Sequence, residues 1–279
     1  MTAMAEFVWL NDNLVPLEQA AVSVNDRGFQ YGDGFFETLR AEEGRPQFLE
    51  AHLLRLKASA QAFRLPFPED VSWEARLGEL LRANGLTQGL ARVRVQLTRG
   101  LAPGLGLPKG GRPTLVIRAW RYDPPAPEEY AGGWPVVVFP ERRTTFLGRH
   151  KSLNYLFYLA ARQYALDRGA KEALVLEADG AVSEGAATSL IYLHRGKLWT
   201  PDAASALPGV TVGLLALGLA RLKVPLQEKR TPLSRLAGAA GVWLANSLLG
   251  LMPVAAINGK PVPLSGHTDM LQKALWSML

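Results

Sequence analysis

The chain has 279 residues, of which 48% are apolar, and its longest apolar stretches, such as residues 214–220, are far shorter than the ~18 residues of a membrane-spanning helix. Because it has no cysteine and only four histidines, with no close pair among them, the composition argues against disulfides, a thiolate nucleophile and a metal site built on cysteine or histidine. The net charge of +6 is spread without a Lys/Arg block, which argues against a nucleic-acid partner and suits a small anionic substrate.

In chain order, the first 121 residues predict a mixture of strands and helices. The N-terminus lacks the pattern of a signal peptide, so we expect a cytoplasmic protein without a membrane partner. A turn is predicted at residues 11–13, helices at residues 47–63 and 73–84, and a pair of antiparallel strands at residues 91–100 and 113–120. A Gly/Pro-rich loop joins those two strands.

The remaining chain continues the α+β pattern after a Pro/Gly-rich stretch at residues 122–133, which we interpret as the connection between two domains. The predicted domains are residues 1–121 and residues 134–279. The second domain is predicted to contain a strand at 134–140, a helix behind Lys151 that runs to about Arg168, three strands within 172–201, a helix at 209–223, strands with a turn at 258–260 within 241–263, and a helix from about His267.

Lys151 is the first candidate for chemistry, in the stretch "RHKSLNYL". A neutral lysine amine can form a Schiff base with a carbonyl compound, and desolvation or nearby cations lower the lysine pKa enough to favour the neutral form. The adjacent Arg149 and His150 are cationic or titratable, although neighbours in sequence can point elsewhere. A lysine on the surface of a basic protein is most often simply solvated, so this residue alone decides nothing.

Glu184 is the second candidate, in "DGAVSEGAATSLIYL", where small residues precede a strand. A carboxylate in such a tight turn can be half-buried, and a buried carboxylate needs a partner. A protonated pyridine nitrogen would be a suitable one, as in pyridoxal 5′-phosphate. The alternative is a surface glutamate in a turn.

Phosphate-binding features form the third set. The residues Gly209, Thr211 and Gly213 begin an apolar helix, whose N-terminal N–H groups and dipole favour an anion, although Thr211 would equally serve as a helix cap. Arg55, among leucines of the first helix, could bind phosphate with its fork or extend to water. Ser247 follows Asn246 where an apolar strand is interrupted, a place that also suits turn formers.

Taken together, these segments resemble the fold-type IV pyridoxal-phosphate enzymes, a family that includes branched-chain and D-amino-acid aminotransferases and 4-amino-4-deoxychorismate lyase. The resemblance rests on "VNDRGFQYGDGFFETLRAEEGRPQFLEAHLLRL", "KSLNYL", "EALVLEADGAVSEGAATSL", "LPGVTVG" and "NSLLGLMPV", which follow in the family's order and spacing over nearly the whole chain. It implies an α+β, two-domain fold like that of D-amino-acid aminotransferase, with a smaller N-terminal α/β domain, the cofactor between the domains, and a homodimer.

The resemblance also implies roles for individual residues. Lys151 is the Schiff-base lysine, and Glu184 faces the pyridine nitrogen. The cofactor phosphate is bound by Arg55, by Val210 and Thr211, and by Ser247. No metal is implied.

The member of the family is inferred from three details. The loop "GLAPGLGLP" lacks the Arg-x-His carboxylate trap of D-amino-acid aminotransferases. Tyr155 follows Lys151 by four residues, whereas branched-chain aminotransferases place a tyrosine five residues after the lysine. This spacing and "NSLLGLMPV" are similar to the lyase, so we expect 4-amino-4-deoxychorismate lyase, with a class IV aminotransferase acting on branched-chain or other amino acids as the alternative and a non-catalytic cofactor-binding relative as a second.

A lyase substrate with two carboxylates would need cationic or polar groups in its pocket. The sequence offers Arg94 on the predicted strand 91–100, Arg149 and Tyr31. Strand alternation puts Arg92 on the same face as Arg94. It does not say whether that face meets the site or solvent.

Overall fold

The computed structural model describes residues 6–143 and 145–279 and divides into two compact units. The first unit comprises the chain up to Asp123 together with Lys151–Asn154, and the second comprises Pro124–His150 and Tyr155–Leu279. The stretch interpreted as the connection, residues 122–133, contains a short helix that belongs to the second unit. The four-residue segment that begins at Lys151 is therefore counted with the N-terminal unit, although the predicted domain limits put it in the C-terminal one.

The first unit is an antiparallel sheet with helices on one face. Its elements are β1 (Phe7–Leu10), β2 (Asn13–Pro16), α1 (Arg27–Tyr31), β3 (Gly34–Glu42), β4 (Arg45–Pro46), α2 (Leu49–Ala62), α3 (Trp73–Ala83), β5 (Leu90–Thr98) and β6 (Thr114–Arg121), and the strands lie in the order β2-β1-β6-β5-β3-β4. The predicted turn at residues 11–13, the two predicted helices and the predicted strand pair are confirmed.

Alternation along β5 explains how this sheet forms its core. Ala91, Val93, Val95 and Leu97 are all buried, and they pack with leucines of α2 and α3 in one apolar cluster. The intervening residues of β5 face the other side of the sheet and include both arginines. The period of two thus separates an apolar face from a basic one.

The second unit contains a mixed sheet flanked by helices. Its elements are α4 (Pro127–Gly132), β7 (Trp134–Arg143), α5 (Leu156–Leu166), β8 (Glu172–Glu177), β9 (Val182–Gly185), β10 (Ser189–His194), β11 (Lys197–Pro201), α6 (Val210–Arg221), β12 (Leu226–Lys229), α7 (Leu233–Ala237), β13 (Gly241–Asn246), β14 (Gly250–Ile257), β15 (Lys260–Pro261) and α8 (Thr268–Trp276). The strands lie in the order β12-β11-β10-β13-β14-β7-β8-β9, with β15 beside β14. The α+β class is confirmed.

The predicted number of strands in residues 172–201 of the second unit is wrong. Residues 172–201 were expected to form three strands, but they form β8, β9, β10 and β11. The extended backbone is interrupted by a turn between β9 and β10, where the Gly185 N–H donates to the Thr188 carbonyl at 2.6 Å. The run of small residues there forms a tight turn, which alternation of apolar residues does not reveal.

Across residues 6–143 and 145–279, no helix combines the length and apolar character needed to cross a membrane. In the same described part of the chain, no cluster of three or more His, Asp or Glu side chains suits a metal ion.

Candidate active site

The backbone around Lys151 is held against β3. The Phe36 N–H donates to the Lys151 carbonyl at 2.8 Å, and the Leu153 N–H donates to the Gly34 carbonyl at 2.9 Å. The segment Lys151–Asn154 thereby extends the sheet of the first unit beside the start of β3. The position of the lysine is fixed by backbone hydrogen bonds, which do not depend on its own side chain.

The Lys151 side chain is half-buried and lies against an aromatic ring. Its Nζ is 4.8 Å from the centroid of the buried Phe36 ring, and the Arg94 guanidinium carbon is 4.0 Å from the same centroid. The structure therefore brings together two of the predicted site residues, Lys151 and Arg94. It also shows that the arginine face of β5 is the face that carries Phe36.

Arg55 is bound to a buried carboxylate. Its Nε and Nη2 donate to the two oxygens of Glu37 at 2.7 and 2.6 Å, and His52 Nδ1 lies 2.7 Å from Glu37 Oε2. Burial alone would raise the pKa of Glu37, but the Arg55 charge and the His52 hydrogen bond outweigh it and lower that pKa to about 2. Arg55 is thus held rigidly by Glu37 and does not extend to water, and its role toward a phosphate stays a prediction.

Sequence reasoning missed Glu37 and His52 as partners of Arg55. A signal was available, because Glu37 sits at an inward position of the alternating stretch "GFFETLR", between Phe35 and Leu39. An acidic residue at a core position requires a partner.

Tyr31 ends α1 and is 51% exposed in the structure. Its ring lies under the Arg27 guanidinium, whose carbon is 5.0 Å from the ring centroid. Its predicted contact with substrate stays a prediction.

The loop after β5 is fastened by two arginines that share one carboxylate. Arg99 is completely buried and donates to both oxygens of Asp33 at 2.7 and 3.0 Å, and Arg27 donates to Asp33 at 2.8 Å. Arg27 also donates to the carbonyls of Gly104 and Gly106 in the loop. Burial would raise the pKa of Asp33, but its bonds to the two arginines lower it. The Arg99 guanidinium therefore holds the loop in place through its ion pair with Asp33.

Glu184, in the second unit, lies at the end of β9 and is buried. Its Oε1 accepts hydrogen bonds from Arg143 Nη1 at 2.9 Å and from the Tyr158 hydroxyl at 2.6 Å, and its Oε2 accepts one from the Leu207 N–H at 3.1 Å. The alternative interpretation, a glutamate in a surface turn, is wrong. The buried carboxylate has strong partners within the protein itself.

Arg143 and Tyr158 are partners of Glu184 that the sequence did not reveal. The Arg143 guanidinium carbon is 4.9 Å from the Tyr158 ring centroid, and both side chains donate to Glu184. Arg143 also donates to the Ser205 carbonyl. Burial lowers the pKa of Arg143, while the charges of Glu184 and Glu177 oppose that change. These residues lie 41 and 26 positions from Glu184, so spacing gave no signal.

A second buried carboxylate, Glu172, supports the turn directly behind Glu184. Its Oε2 accepts from the Ala187 N–H and from the Thr188 hydroxyl, both at 3.2 Å. Burial raises the pKa of Glu172. The charge of the half-exposed Arg162, whose Nη1 lies 3.6 Å from Glu172 Oε1, lowers the pKa by less than burial raises it. Glu172 was not singled out from the sequence.

The start of α6 lines a cavity of ≈ 360 Å³ in the second unit. The cavity is lined by Glu184, Gly209 and Val212, and also by Arg149, whose side chain is exposed. Gly209 is the N-cap residue, and a Cβ there would collide with Ser189 Oγ. Of the predicted phosphate ligands in this helix, Val210 is half-buried and Thr211 is buried. Because Gly209 is the cap, the interpretation of Thr211 as the helix cap is wrong.

The loop between β13 and β14 contains Asn246 and Ser247. Asn246 Oδ1 accepts from the N–H groups of Leu248 and Leu249 at 3.0 and 2.8 Å, so this residue forms the turn. Its Nδ2 donates to the Ala187 carbonyl at 3.1 Å, which joins the loop to the turn behind Glu184. Ser247 is half-buried, and its role toward a phosphate stays a prediction.

These features fit pyridoxal 5′-phosphate. A buried carboxylate suited to a protonated ring nitrogen and the N-terminus of α6, suited to a phosphate, line one cavity of the second unit. A pyridine nitrogen and a phosphate therefore find residues of matching chemistry in this cavity. Taken by itself, the first unit contains an amine, Lys151, whose main chain is fixed and whose side chain is partly withdrawn from water.

The chain is similar in sequence to several named proteins. It is 31% identical over 264 residues to "Branched-chain-amino-acid aminotransferase-like protein 1" of Arabidopsis thaliana, covering 91% of this chain but 46% of that protein, so the chain spans about half the length of that relative. It is 30% identical over 260 residues to the D-alanine aminotransferase of Listeria monocytogenes, with 91% and 89% covered. It is 28% identical over 256 residues to the aminodeoxychorismate lyase of Bacillus subtilis, with 90% and 86% covered.

The fold is similar to that of the branched-chain amino acid aminotransferase of Escherichia coli, with a TM-score of 0.87 and 26% identity, covering 98% of this chain and 94% of the other. The family model described as "Amino-transferase class IV" matches residues 34–257, a stretch that includes both Lys151 and Glu184. The chain therefore belongs to the class IV aminotransferase family of pyridoxal-phosphate enzymes.

Proposed function

We propose that this protein is a 4-amino-4-deoxychorismate lyase, which converts its substrate to pyruvate and the folate precursor 4-aminobenzoate. The observation that carries an enzymatic role is the environment of Lys151, an amine held by backbone bonds to β3 and placed over Phe36 beside Arg94. A solvated surface lysine would have neither feature.

The loop after β5 supports the lyase over a D-amino-acid aminotransferase. It lacks an Arg-x-His pair, and the preceding Arg99 is bound to Asp33 and completely buried. The short spacing from Lys151 to Tyr155 and the segment "NSLLGLMPV" also favour the lyase. A relative named aminodeoxychorismate lyase aligns over 90% of the chain.

In the proposed site, Lys151 would hold the cofactor covalently and Glu184 would hold its ring nitrogen. Arg55, Val210, Thr211 and Ser247 would bind its phosphate. When bound, pyridoxal phosphate supplies an electron-accepting ring to the substrate amine. Arg143 and Tyr158 hold Glu184 in place through their hydrogen bonds to Oε1.

The proposed reaction needs one proton carrier. Once the incoming substrate amine has released it from the cofactor, Lys151 would accept the proton from the amine-bearing carbon of the substrate. The bond between the ring carbon and the enolpyruvyl oxygen then breaks, and Lys151 returns a proton to the methylene carbon as pyruvate forms. The atoms balance without an oxidant, and a single amine acts as base and acid. Arg94, Arg149 and Tyr31 are proposed to bind the carboxylates of the substrate.

A direct assay tests this activity. The protein loaded with cofactor is given 4-amino-4-deoxychorismate, and 4-aminobenzoate and pyruvate are measured. Lys151→Ala should abolish turnover and the covalent attachment of the cofactor, whereas the control Lys273→Ala, an exposed lysine of α8, should not change either. Glu184→Ala should keep bound cofactor and lose most of the rate. An active Lys151→Ala variant contradicts the assignment.

The second candidate is an aminotransferase acting on branched-chain or other amino acids. It is supported by relatives named as branched-chain and D-alanine aminotransferases. The assay supplies such amino acids with 2-oxoglutarate and measures glutamate. Transamination without release of 4-aminobenzoate would replace the lyase with this candidate, and a protein that binds cofactor without either turnover would favour a non-catalytic relative.

The physical context is also proposed. We infer a homodimer in the cytoplasm that takes a small anionic substrate and binds neither nucleic acid nor membrane. The net charge of +6 supports an anionic substrate, and the resemblance supports the dimer. Light scattering of the purified protein tests the dimer, and a monomer at working concentration would contradict it.

A further inference from the structure

The loop between β11 and α6, residues 202–208, forms one wall of the cavity in the second unit. Every residue of this loop except Ser205 lines the cavity, and the loop ends directly before Gly209, the N-cap residue of α6. Ser205 is buried. Because the loop leads straight into the helix, its position decides where the N–H groups at the start of α6 lie within this unit.

Three hydrogen bonds hold the loop in place. The Ser205 N–H donates to Glu177 Oε1 at 3.2 Å, and the Ser205 carbonyl accepts from Arg143. Two residues later, the Leu207 N–H donates to Glu184 Oε2 at 3.1 Å. The peptide groups on both sides of Ser205 are therefore bound, and the one loop residue that does not line the cavity is the one fixed to the protein behind it.

Glu177 is buried at the end of β8, where a carboxylate costs stability. Its Oε1 also accepts from the Ser183 hydroxyl at 2.8 Å, and among the residues that the structure describes it makes no ion pair within 4 Å. A buried carboxylate with only neutral donors is less favourable than an apolar side chain of the same size. The position of the loop is what this carboxylate fixes.

Glu184 does not depend on Glu177 for its own position. Its Oε1 accepts from Arg143 and from the Tyr158 hydroxyl at 2.9 and 2.6 Å. The start of α6 has no comparable anchor, because its N-cap residue, Gly209, has no side chain that could form a cap. Loss of Glu177 would therefore displace the start of α6 while leaving Glu184 in place.

We propose that Glu177 is a positioning residue for the cofactor. Through Ser205 it fixes the loop, and it thereby holds the start of α6 at the separation from Glu184 that a bound pyridoxal phosphate requires. The inference rests on the proposed binding of the ring nitrogen at Glu184 and of the phosphate at α6. It does not depend on whether the reaction is that of a lyase or of an aminotransferase.

Cofactor binding tests the proposal without turnover. The full-length protein, freed of cofactor, is titrated with pyridoxal 5′-phosphate and with pyridoxal, which differ only in the phosphate, and the absorbance of the bound ring gives both dissociation constants. The wild type should prefer the phosphorylated form. Glu177→Leu, which keeps the size and removes the acceptor, should reduce this preference about ten-fold or more. Glu177→Gln should retain it, because an amide oxygen still accepts from the Ser205 N–H.

Thr268→Val is the control for a loss of stability alone. It removes the acceptor of the buried Trp243 indole N–H, 2.9 Å away, at the first residue of α8. It should lower the Tm and keep the preference for the phosphorylated form. An unchanged preference in Glu177→Leu, or a loss in Glu177→Gln as large as that in Glu177→Leu, would overturn the proposal. Equal binding of the two ligands by the wild type would refute the phosphate site together with it.

Hydrogen exchange keeps the proposal testable if Glu177→Leu fails to fold. In the wild type and in Glu177→Gln, both freed of cofactor, the Ser205 N–H should exchange on the order of a hundred-fold more slowly than an unprotected amide. Rapid exchange in the wild type would mean that Glu177 does not hold the loop, and the proposal would fail. A protein that releases no 4-aminobenzoate but shows the expected preferences loses the lyase assignment and keeps the positioning role of Glu177.

Discussion

Glu37 in the first unit and Glu172 in the second are both completely buried carboxylates, yet their surroundings move the pKa values in opposite directions. Glu37 faces the fork of Arg55 at 2.6 and 2.7 Å and the ring of His52, and its pKa falls to about 2. Glu172 has backbone N–H groups, one hydroxyl and an arginine 3.6 Å away, and its pKa rises. Burial penalises both charges, and only a close, oriented guanidinium overcomes the penalty.

The largest expected effect on stability comes from breaking the ion pair between Arg55 and Glu37. Arg55→Ala should lower the free energy of unfolding by about 3–5 kcal/mol, because it leaves Glu37 buried without its main partner. The matched change, Arg162→Ala beside Glu172, should cost no more than about 1 kcal/mol because that arginine is partly exposed. Urea unfolding at neutral pH measures both. Equal losses would remove the distinction between the two carboxylates.

Lowering the pH should also show how much the ionised form of Glu37 stabilises the fold, with a smaller loss of stability than Arg55→Ala causes. The pKa of Glu37 is 4.5 in the unfolded chain and about 2 in the folded protein, so its ionised form stabilises the fold above pH 4.5. This contribution, about 3 kcal/mol, is lost as the pH falls from 4.5 toward 2. Urea unfolding between those pH values should show a loss that is larger in the wild type than in Glu37→Gln by this amount, because the other carboxylates titrate in both proteins. Parallel curves for the two proteins would contradict the lowered pKa.

Glu184 gives an intermediate case that sharpens the comparison. Tyr158→Phe removes one donor to Oε1 and leaves the ion pair with Arg143 in place. We expect a loss of about 1 kcal/mol in the free energy of unfolding. Phe157→Leu, a change in the neighbouring ring, is the control for lost packing. A loss as large as that of Arg55→Ala would mean that the hydroxyl, and not the arginine, holds this carboxylate.

The smallest effect is expected at Glu172 and concerns the sign of a pH dependence. A folded-state pKa raised above 4.5 contributes stability that is complete below that value and is lost as the pH rises through the folded-state pKa. The stability of Glu172→Gln relative to the wild type should therefore increase with pH above 4.5. Thermal melts from pH 4 to pH 8 follow the difference. A flat difference would show that Arg162 and the hydrogen bonds compensate the charge fully, and an opposite slope would contradict the raised pKa.

The fold could be predicted well because its elements follow the periodicity of apolar residues. The alternation of "ARVRVQLT" gave β5, and helical spacing gave α2 with its buried Leu49 and Leu56. The break between β9 and β10 could not be predicted, because it depends on Glu172 binding the Ala187 N–H fifteen residues along the chain. Such long-range hydrogen bonds have no local pattern.

The candidate site could be predicted only in part, for the same reason. Lys151, Glu184 and Arg55 are candidates from their residue types and local sequence, but each stays ambiguous until the resemblance implies its role. The partners Arg143 and Glu37 were missed because a side-chain pair across strands and helices is visible only after folding. For Arg94, strand alternation gave a shared face with Arg92, and the structure identified that face by the ring of Phe36.

The backbone bonds between β3 and the segment Lys151–Asn154 have a consequence for biosynthesis. The start of β3 pairs with β5 on one side, and on the other it bonds to residues made more than a hundred positions later. A nascent chain released from the ribosome before residue 150 would expose this strand edge, and exposed edges invite pairing with other chains. We therefore expect this edge of β3 to be covered only after Lys151–Asn154 have been synthesised. A truncated protein that lacks the lysine would also leave the start of β3 exposed.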